Sequence, residues 1–350
     1  MAFYPTDSLH FPPSSRPFLD SYLPPLLSDD RDTTKEDELS RPFTTLTFAT
    51  SLDSSLSLAP GVRTTLSGSQ SKAMTHYLRF RHEAILIGVG TAIADDPGLN
   101  CRIEGASGYE EHPSRDPAIQ ALADEASSNP ELKDLMKVVA NSKATQEQLQ
   151  TFQSHIDRVQ VDTIRKRQNS LHQPRPIIID PNARWVPSES SKIIQLVKQY
   201  KGKAPFVITS KSTSQPQEAR QILEKYGGKY ISLDTITSDN PDDATGTHQH
   251  FDWSLILNTL ATKENIKSIM IEGGGSIINS LLSEQRYSAL IDSVIVTIAP
   301  TWLGRGGVVV SPERRVDEDG CAMPASRLTD VKWYPFGEDV VLCGRIKGVD

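Results

Sequence analysis

The chain has 350 residues, 37% of them hydrophobic and 23% charged, which is enough apolar material for one large core or two modest ones in a globular protein. Acidic side chains outnumber basic ones by 44 to 37, so the formal charge is −7; no general basic surface exists, which argues against nucleic acid and leaves room only for a local basic pocket. Three scattered cysteines, Cys101, Cys321 and Cys343, show no C-x-x-C spacing, which argues against a disulfide framework or a zinc site and fits a reducing, cytoplasmic setting. No run of roughly twenty apolar residues is present, nor a basic-then-apolar signal pattern, and Asp7 and Asp20 count against a transit peptide.

Residues 1–40 are rich in proline and serine, with Pro12-Pro13 and Pro24-Pro25, and pass into the acidic run Ser28-Asp29-Asp30-Arg31-Asp32. Without a periodic apolar face to offset ordering entropy, this segment is expected to be a disordered tail, pinned at most through Phe18, Tyr22 and Leu26-Leu27. The folded body, residues 41–350, is expected to begin with a buried strand over 43–49, where β-branched and aromatic residues mix. Residues 69–82 have helical spacing, with Met74, Tyr77 and Leu78 on one side, and lead into a strand over 84–90 that is apolar on both faces.

From about 107 to 173 the chain turns polar, with helical stretches at 130–140 and 145–161. Connections longer than about fifteen residues are uncommon in a compact domain, so this is read as an insertion with its own helices, flexible in part or covering the site. Strands then recur near 176–180, 205–209 and 230–233, separated by helices near 190–200 and 217–226. A helix over 252–262, a glycine turn at 273–275 and a strand over 292–299 follow. This alternation predicts an α/β fold with a mixed, mostly parallel sheet and helices on both faces. Residues 331–336 and 340–346, around Gly337-Glu338-Asp339, predict an antiparallel C-terminal hairpin.

Three places carry the chemistry. In Ile271-Glu272-Gly273-Gly274-Gly275-Ser276-Ile277 an apolar strand breaks on three glycines before an amphipathic helix. Helix N-termini present unpaired N–H groups and partial positive charge, so the turn suits a phosphate, although tight packing alone also produces such turns. The dinucleotide fingerprint fails at Ile278, Asp292 precedes its apolar run instead of ending it, and no phosphate-loop G-x-x-x-x-G-K-[ST] exists, so neither a Rossmann domain nor a P-loop NTPase is indicated.

The second place, residues 88–102, packs Thr91, Asp95, Asp96, Leu99, Asn100 and Arg102 beyond a buried strand, where open α/β sheets bind ligands. Its Asp-Asp-Pro-Gly is equally ordinary turn chemistry. The third is Asp53, expected on the same sheet edge as Asp95 and Glu272 or else closing an Asx turn. Arg79, one turn from His76, either points at a phosphate or is solvated. No Ser-His-Asp or Cys-His arrangement and no H-x-x-x-H spacing occurs among the eight histidines, so neither hydrolysis nor a metal is expected; a carrier of reducing equivalents would supply the difficult chemistry.

Together, Ser51-Leu52-Asp53, the 91–102 segment, Pro174-Arg175-Pro176-Ile177-Ile178-Ile179-Asp180 and Glu272-Gly273-Gly274-Gly275-Ser276 make the chain resemble the riboflavin-biosynthesis reductase family, its fungal members above all, from Arg41 to about Ile346. That resemblance implies a dihydrofolate-reductase-like fold, NADPH as hydride donor, a cytoplasmic homodimer, and a pyrimidine ribosylamine 5-phosphate whose ribose is reduced to a ribityl chain. It implies that Thr91, Asp95 and the turn Gly273, Gly274, Gly275, Ser276 and Ile277 contact NADPH, and that Arg79, Leu99, Arg102 and Glu272 hold the substrate. Asp53 and Glu272 are the acids it offers for proton handling. Asp53 matches the family's S-L-D-G-K motif, but Ser54-Ser55 stand where Gly-Lys is usual, so the lysine's role is unfilled or passes to another cation such as Arg63. The H-x-E and P-C-x-x-C ligands of a fused zinc deaminase are absent, which would leave deamination to another protein. Two other readings compete: an NADPH reductase of this fold acting on a pterin, and a catalytically silent nucleotide-binding regulator disabled at Ser54-Ser55.

Overall fold

The computed structural model describes residues 5–25, 41–111, 116–238, 248–317 and 319–347. Its aliphatic and β-branched runs form one nine-stranded sheet. The strands are β1 (Phe43–Thr50), β2 (Ala84–Gly88), β3 (Arg175–Ile179), β4 (Phe206–Ser210), β5 (Lys229–Leu233), β6 (Ser268–Ile271), β7 (Ser293–Ile298), β8 (Leu328–Phe336) and β9 (Asp339–Ile346). Their order across the sheet is β8-β9-β7-β1-β6-β2-β3-β4-β5. All neighbours from β7 to β5 are parallel, while β9 runs antiparallel to both β7 and β8. The expected mixed, mostly parallel sheet with a C-terminal hairpin is what the chain forms.

Leu46 of β1 lies level with Ile271 of β6, which lies level with Leu86 of β2. The carboxyl ends of these three central strands therefore share one edge, and whatever follows them in sequence is delivered there.

Residues 5–25 correct the expectation of a disordered tail. A short helix, α1 (Pro17–Asp20), and its flanks pack on the sheet, with Phe11, Leu19 and Tyr22 exposed by only 1%, 0% and 2%. Phe11 stacks on Tyr77 at 4.9 Å and Phe18 on Tyr334 at 4.1 Å. Prolines, not helical periodicity, set the spacing of these side chains, and their partners lie far along the chain. Leu26-Leu27 and the acidic run fall outside the described residues.

The helices α2 (Ser69–Arg81) and α3 (Val89–Asp95) follow. α3 begins at Val89, so the strand expected to reach residue 90 stops at Gly88 and becomes a helix instead. The insertion folds as α4 (Pro117–Ser128), α5 (Pro130–Ala140) and α6 (Gln146–Arg167) around its own small core of Leu122, Leu132 and Val159. Each helix carries a side-chain N-cap, from Asp116, Asn129 and Thr145 respectively, the last as a capping box with Gln148. Next come α7 (Lys192–Lys198), α8 (Gln217–Lys225), α9 (Trp253–Glu264), α10 (Gly275–Ser283) and α11 (Gln285–Ser288).

Alternation along the strands sorts these helices onto two faces. Ala84 and Leu86 join Ile256, Leu260, Ile278 and Leu281 from α9 and α10, whereas Ile85 and Ile87 join Val89, Ile193 and Leu223 from α3, α7 and α8. α2 packs beside them through Met74, Tyr77 and Leu78 against Met270, Ile295 and Val341. Its N-terminus is held by the start of β9, where the Asp339 carboxylate accepts from Gly68 N at 2.9 Å and Ser71 Oγ at 2.5 Å. Among the described residues no helix is long and apolar enough to cross a membrane.

Candidate active site

A cavity of about 650 Å³ opens beyond the carboxyl ends of the central strands, between α2, α3 and α7. Arg79, Thr91, Asp95, Leu99, Arg102 and Glu272 all line it. A second cavity, of about 510 Å³, lies at the amino ends of the strands among Phe43, Phe80, Glu83, Leu171 and Lys203. The first is the candidate site, because crossover helices leave their ligand-binding crevice at the carboxyl edge and because it gathers the chemically capable side chains. None of the three insertion helices contributes a lining residue; from the 107–173 segment Tyr109 alone among the described residues borders the cavity.

At the cleft floor Arg79 forms a two-pronged ion pair with Glu272: Nε donates to Oε1 at 2.5 Å and Nη2 to Oε2 at 2.6 Å. The third nitrogen, Nη1, donates to the Asn100 carbonyl at 3.0 Å. Both side chains are mostly buried, at 13% and 17% exposure, so the pair works in low dielectric. Burial pulls the Arg79 guanidinium down, and the charge and hydrogen bonds of Glu272 more than offset it, leaving its pKa above the ordinary value. Arg79 is thus neither solvated nor free; its direction is set by Glu272.

Thr91 and Asp95 stand one turn apart on α3, so an i, i+4 spacing aims both at the cleft. Opposite them, Gly273 adopts φ 53°, a left-handed backbone that favours glycine, and turns the chain from β6 into α10. A Cβ placed on Gly274 would stand 3.3 Å from Thr91 Oγ1, so the absence of a side chain keeps the gap between turn and α3 open. Gly275 begins α10, close enough to Val308 that a Cβ would meet its Cγ1 at 2.5 Å. Ser276 is exposed in the first helical turn, while Ile277 is buried at 6% exposure against the sheet.

Asp53 follows β1 at the same sheet edge but is not among the cavity-lining residues. Its carboxylate accepts from Ser51 Oγ at 2.5 Å, Leu303 N at 3.1 Å and Gly304 N at 2.7 Å. Those bonds, Ser51 first and then the Gly304 and Leu303 amides, hold its pKa below the usual carboxylate range. Of the three acids expected to converge, Asp95 and Glu272 share the cleft, and Asp53 ties its own turn to the 301–304 loop.

The cleft also gathers residues outside the motifs, together with Arg63, expected as the substitute for the missing lysine. Lys72, Thr75, His76 and Arg79 form one stripe of α2, which a helical projection of residues 69–82 displays once the cleft side is known. Arg63, from the loop after β1, and Lys192, at the start of α7, add two more cations. Asp7 and Tyr109 had no local signal: the Tyr109 hydroxyl donates to Asp7 Oδ2 at 3.1 Å and accepts from Asn100 Nδ2 at 3.2 Å, across a hundred residues.

The RibD C-terminal domain family matches residues 42–342. Among curated relatives, the 2,5-diamino-6-ribosylamino-4(3H)-pyrimidinone 5′-phosphate reductase of Debaryomyces hansenii is 33% identical over 334 residues, covering 95% of this chain and 97% of that protein. The enzyme of the same name from Candida glabrata is 35% identical over 331 residues, covering 95% and 96%. The solved riboflavin biosynthesis reductase of Saccharomyces cerevisiae superposes with a TM-score of 0.56 at 27% identity, covering 95% of this chain and 99% of that one. RibD of Acinetobacter baumannii superposes at 0.52 with 19% identity over 88% of this chain and 59% of that one, a likeness of fold alone.

Proposed function

Since the chain belongs to the RibD C-terminal domain family and is a reductase of riboflavin biosynthesis, we propose that it reduces the ribosyl chain of 2,5-diamino-6-ribosylamino-4(3H)-pyrimidinone 5′-phosphate to the ribityl chain, with NADPH as donor. The observation that carries this reading is one cavity in which Arg79, Leu99, Arg102 and Glu272 meet Thr91 and Asp95.

NADPH fits the residues present. The glycine turn leaves open a space that a single Cβ on Gly274 would narrow, beside the free N–H groups that begin α10. Thr91, Asp95 and residues 273–277 would hold it, and when bound it supplies the hydride that the sugar C1 carbon gains as its bond to the ring oxygen breaks.

The chain's own residues bind and orient the substrate. Arg102 and the neighbouring cations neutralise the phosphate. Glu272 fixes Arg79 and Asp53 holds the 301–304 loop, so the ring oxygen takes its proton from solvent through the cleft. Positioning of donor and acceptor supplies most of the acceleration, on the order of 7–11 kcal/mol for a well-oriented pair. Arg63, Lys72 and Lys192 supply the positive charge that Ser54-Ser55 lack. A pterin carries no phosphate for these cations, so they favour the pyrimidine phosphate. A cytoplasmic homodimer belongs to the same reading, and the exposed Trp302 and Trp333, at 73% and 60%, offer apolar contact area for it.

The test is stoichiometric oxidation of NADPH by the purified protein with the pyrimidinone phosphate, read at the nicotinamide absorbance together with formation of the ribityl product. Reduction of a pterin in its place, or no turnover of either, would overturn the assignment.

A further inference from the structure

His76 lines the cleft from the α2 stripe, and neither the motifs nor the family roles supply a use for it. It is 6% exposed and borders the cleft between Lys72 and Arg79, one turn from each. Its Nδ1 takes the backbone N–H of Arg102 at 3.0 Å. A backbone N–H can only donate, so Nδ1 bears no proton and the ring is the Nε2–H tautomer. No hydrogen bond from Nε2 to a described residue is present, and only the Asn100 backbone lies near enough to the ring to favour its protonated form. It is a fixed donor offered to the cavity.

The charges around it define what it would meet. Arg79 is balanced by Glu272, but Lys72 has no ion-pair partner among the described residues, and Arg102 reaches only the Asp7 carbonyl, through Nη1 at 3.3 Å. The Asp7 carboxylate is turned to the Tyr109 hydroxyl and, at 3.9 Å, to Lys201. Asn100 presents its carbonyl, already used by Arg79. Two unbalanced cations therefore flank one neutral donor. Burial first, and then the charges of Arg79, Arg102 and Lys72, hold the imidazole well below its ordinary pKa, so it enters the cleft uncharged at neutral pH.

We propose that His76 is a ligand of the substrate's phosphate, donating Nε2–H to one oxygen while Lys72 and Arg102 neutralise the charge. The assignment rests on the reading of the substrate given above and deepens it. A neutral donor costs no counter-charge when the site is empty, and its direction is fixed by the same backbone that carries Arg102. Geometry as well as charge thus selects the phosphate end.

Three substitutions separate contact from support. His76→Gln puts an amide N–H where Nε2 stands but no acceptor at Nδ1; His76→Asn puts an acceptor at Nδ1 but no donor beyond it; His76→Leu removes both. With the pyrimidinone phosphate, Leu and Asn are expected to raise KM by at least about tenfold, and Gln to stay within about threefold of wild type. With the dephosphorylated ribosylamine all three should match wild type, and NADPH binding should not move. Calorimetric titration of inorganic phosphate into the protein should rank the variants in the same order without turnover. Lys72→Met, at an exposed position, makes the same phosphate-only loss in a variant whose folding is not at issue.

Rescue by Asn and not by Gln would mean that His76 acts only by holding Arg102. A KM rise of equal size with and without phosphate, or a shift in NADPH affinity, would place the group elsewhere in the site. Either result overturns the proposal. An inactive wild type would count against the substrate reading instead, and the phosphate titration would still decide the role of His76.

Discussion

Glu272 shows how one residue can look catalytic in sequence and be architectural in the fold. It follows a buried strand and precedes a phosphate-type turn, yet both of its oxygens accept from Arg79. Replacing it by glutamine keeps the shape and one acceptor but leaves a mostly buried guanidinium without its counter-charge. Breaking such a pair costs about 3 kcal/mol or more. Glu272→Gln is therefore expected to lower the unfolding free energy from urea titration by that amount and to raise KM as Arg79 swings from the Asn100 carbonyl toward solvent. Wild-type stability in urea unfolding would contradict the ion pair. Asp53 is the converse case: its Asx-turn reading was already open in the sequence, but the amides of Leu303 and Gly304 that complete its bonding lie 250 and 251 residues away.

At the scale of elements, the site is the meeting of two helix surfaces and one turn. α2 buries Met74, Tyr77 and Leu78 against the sheet and gives the adjoining stripe, Lys72 to Arg79, to the cleft. α3 sets Thr91 beside Gly274 of the turn and, one turn on, gives Asp95 to the cleft. A Cβ at Gly274 would stand 3.3 Å from Thr91 Oγ1, so a side chain there must push the threonine aside and fill the gap. Gly274→Val is expected to weaken NADPH binding at least about tenfold, a change of roughly 1.4 kcal/mol, with the far-ultraviolet circular dichroism unchanged. Normal NADPH affinity in a fluorescence titration of that variant would remove the turn from the cofactor site.

For the whole molecule, the N-terminal segment is part of the core and of the cleft wall. Phe11, Leu19 and Tyr22 join the layer formed by α2, β6, β7 and β9, and Leu9 pairs with the chain beside Arg102, its N–H donating to the Arg102 carbonyl at 2.8 Å. Deleting a fully buried phenylalanine side chain typically costs about 3–5 kcal/mol. Phe11→Ala should show a loss of that size in thermal or urea unfolding, whereas a dangling tail would show none. Because the same segment presents Asp7 beside Arg102, a weakened N-terminal anchor should also raise KM for the substrate before it disturbs NADPH binding.

Alternation of strand and helix, burial of β2 and β6 on both faces, the C-terminal hairpin and the glycine turn at 273–275 could all be read from the amino acids in order, because each depends on periodicity or backbone freedom within about ten residues. So could the candidate set Arg79, Thr91, Asp95, Leu99, Arg102 and Glu272, through motif resemblance. Tertiary contact decided the rest. The end of β2 became α3, residues 5–25 docked through apolar side chains that show no helical period, and Lys72, His76 and Lys192 joined the cleft from two separate helices beside the expected Arg63. The reason is range: a local pattern records which face of an element is apolar, but which distant polar groups share a cavity follows only from the order of strands in the sheet.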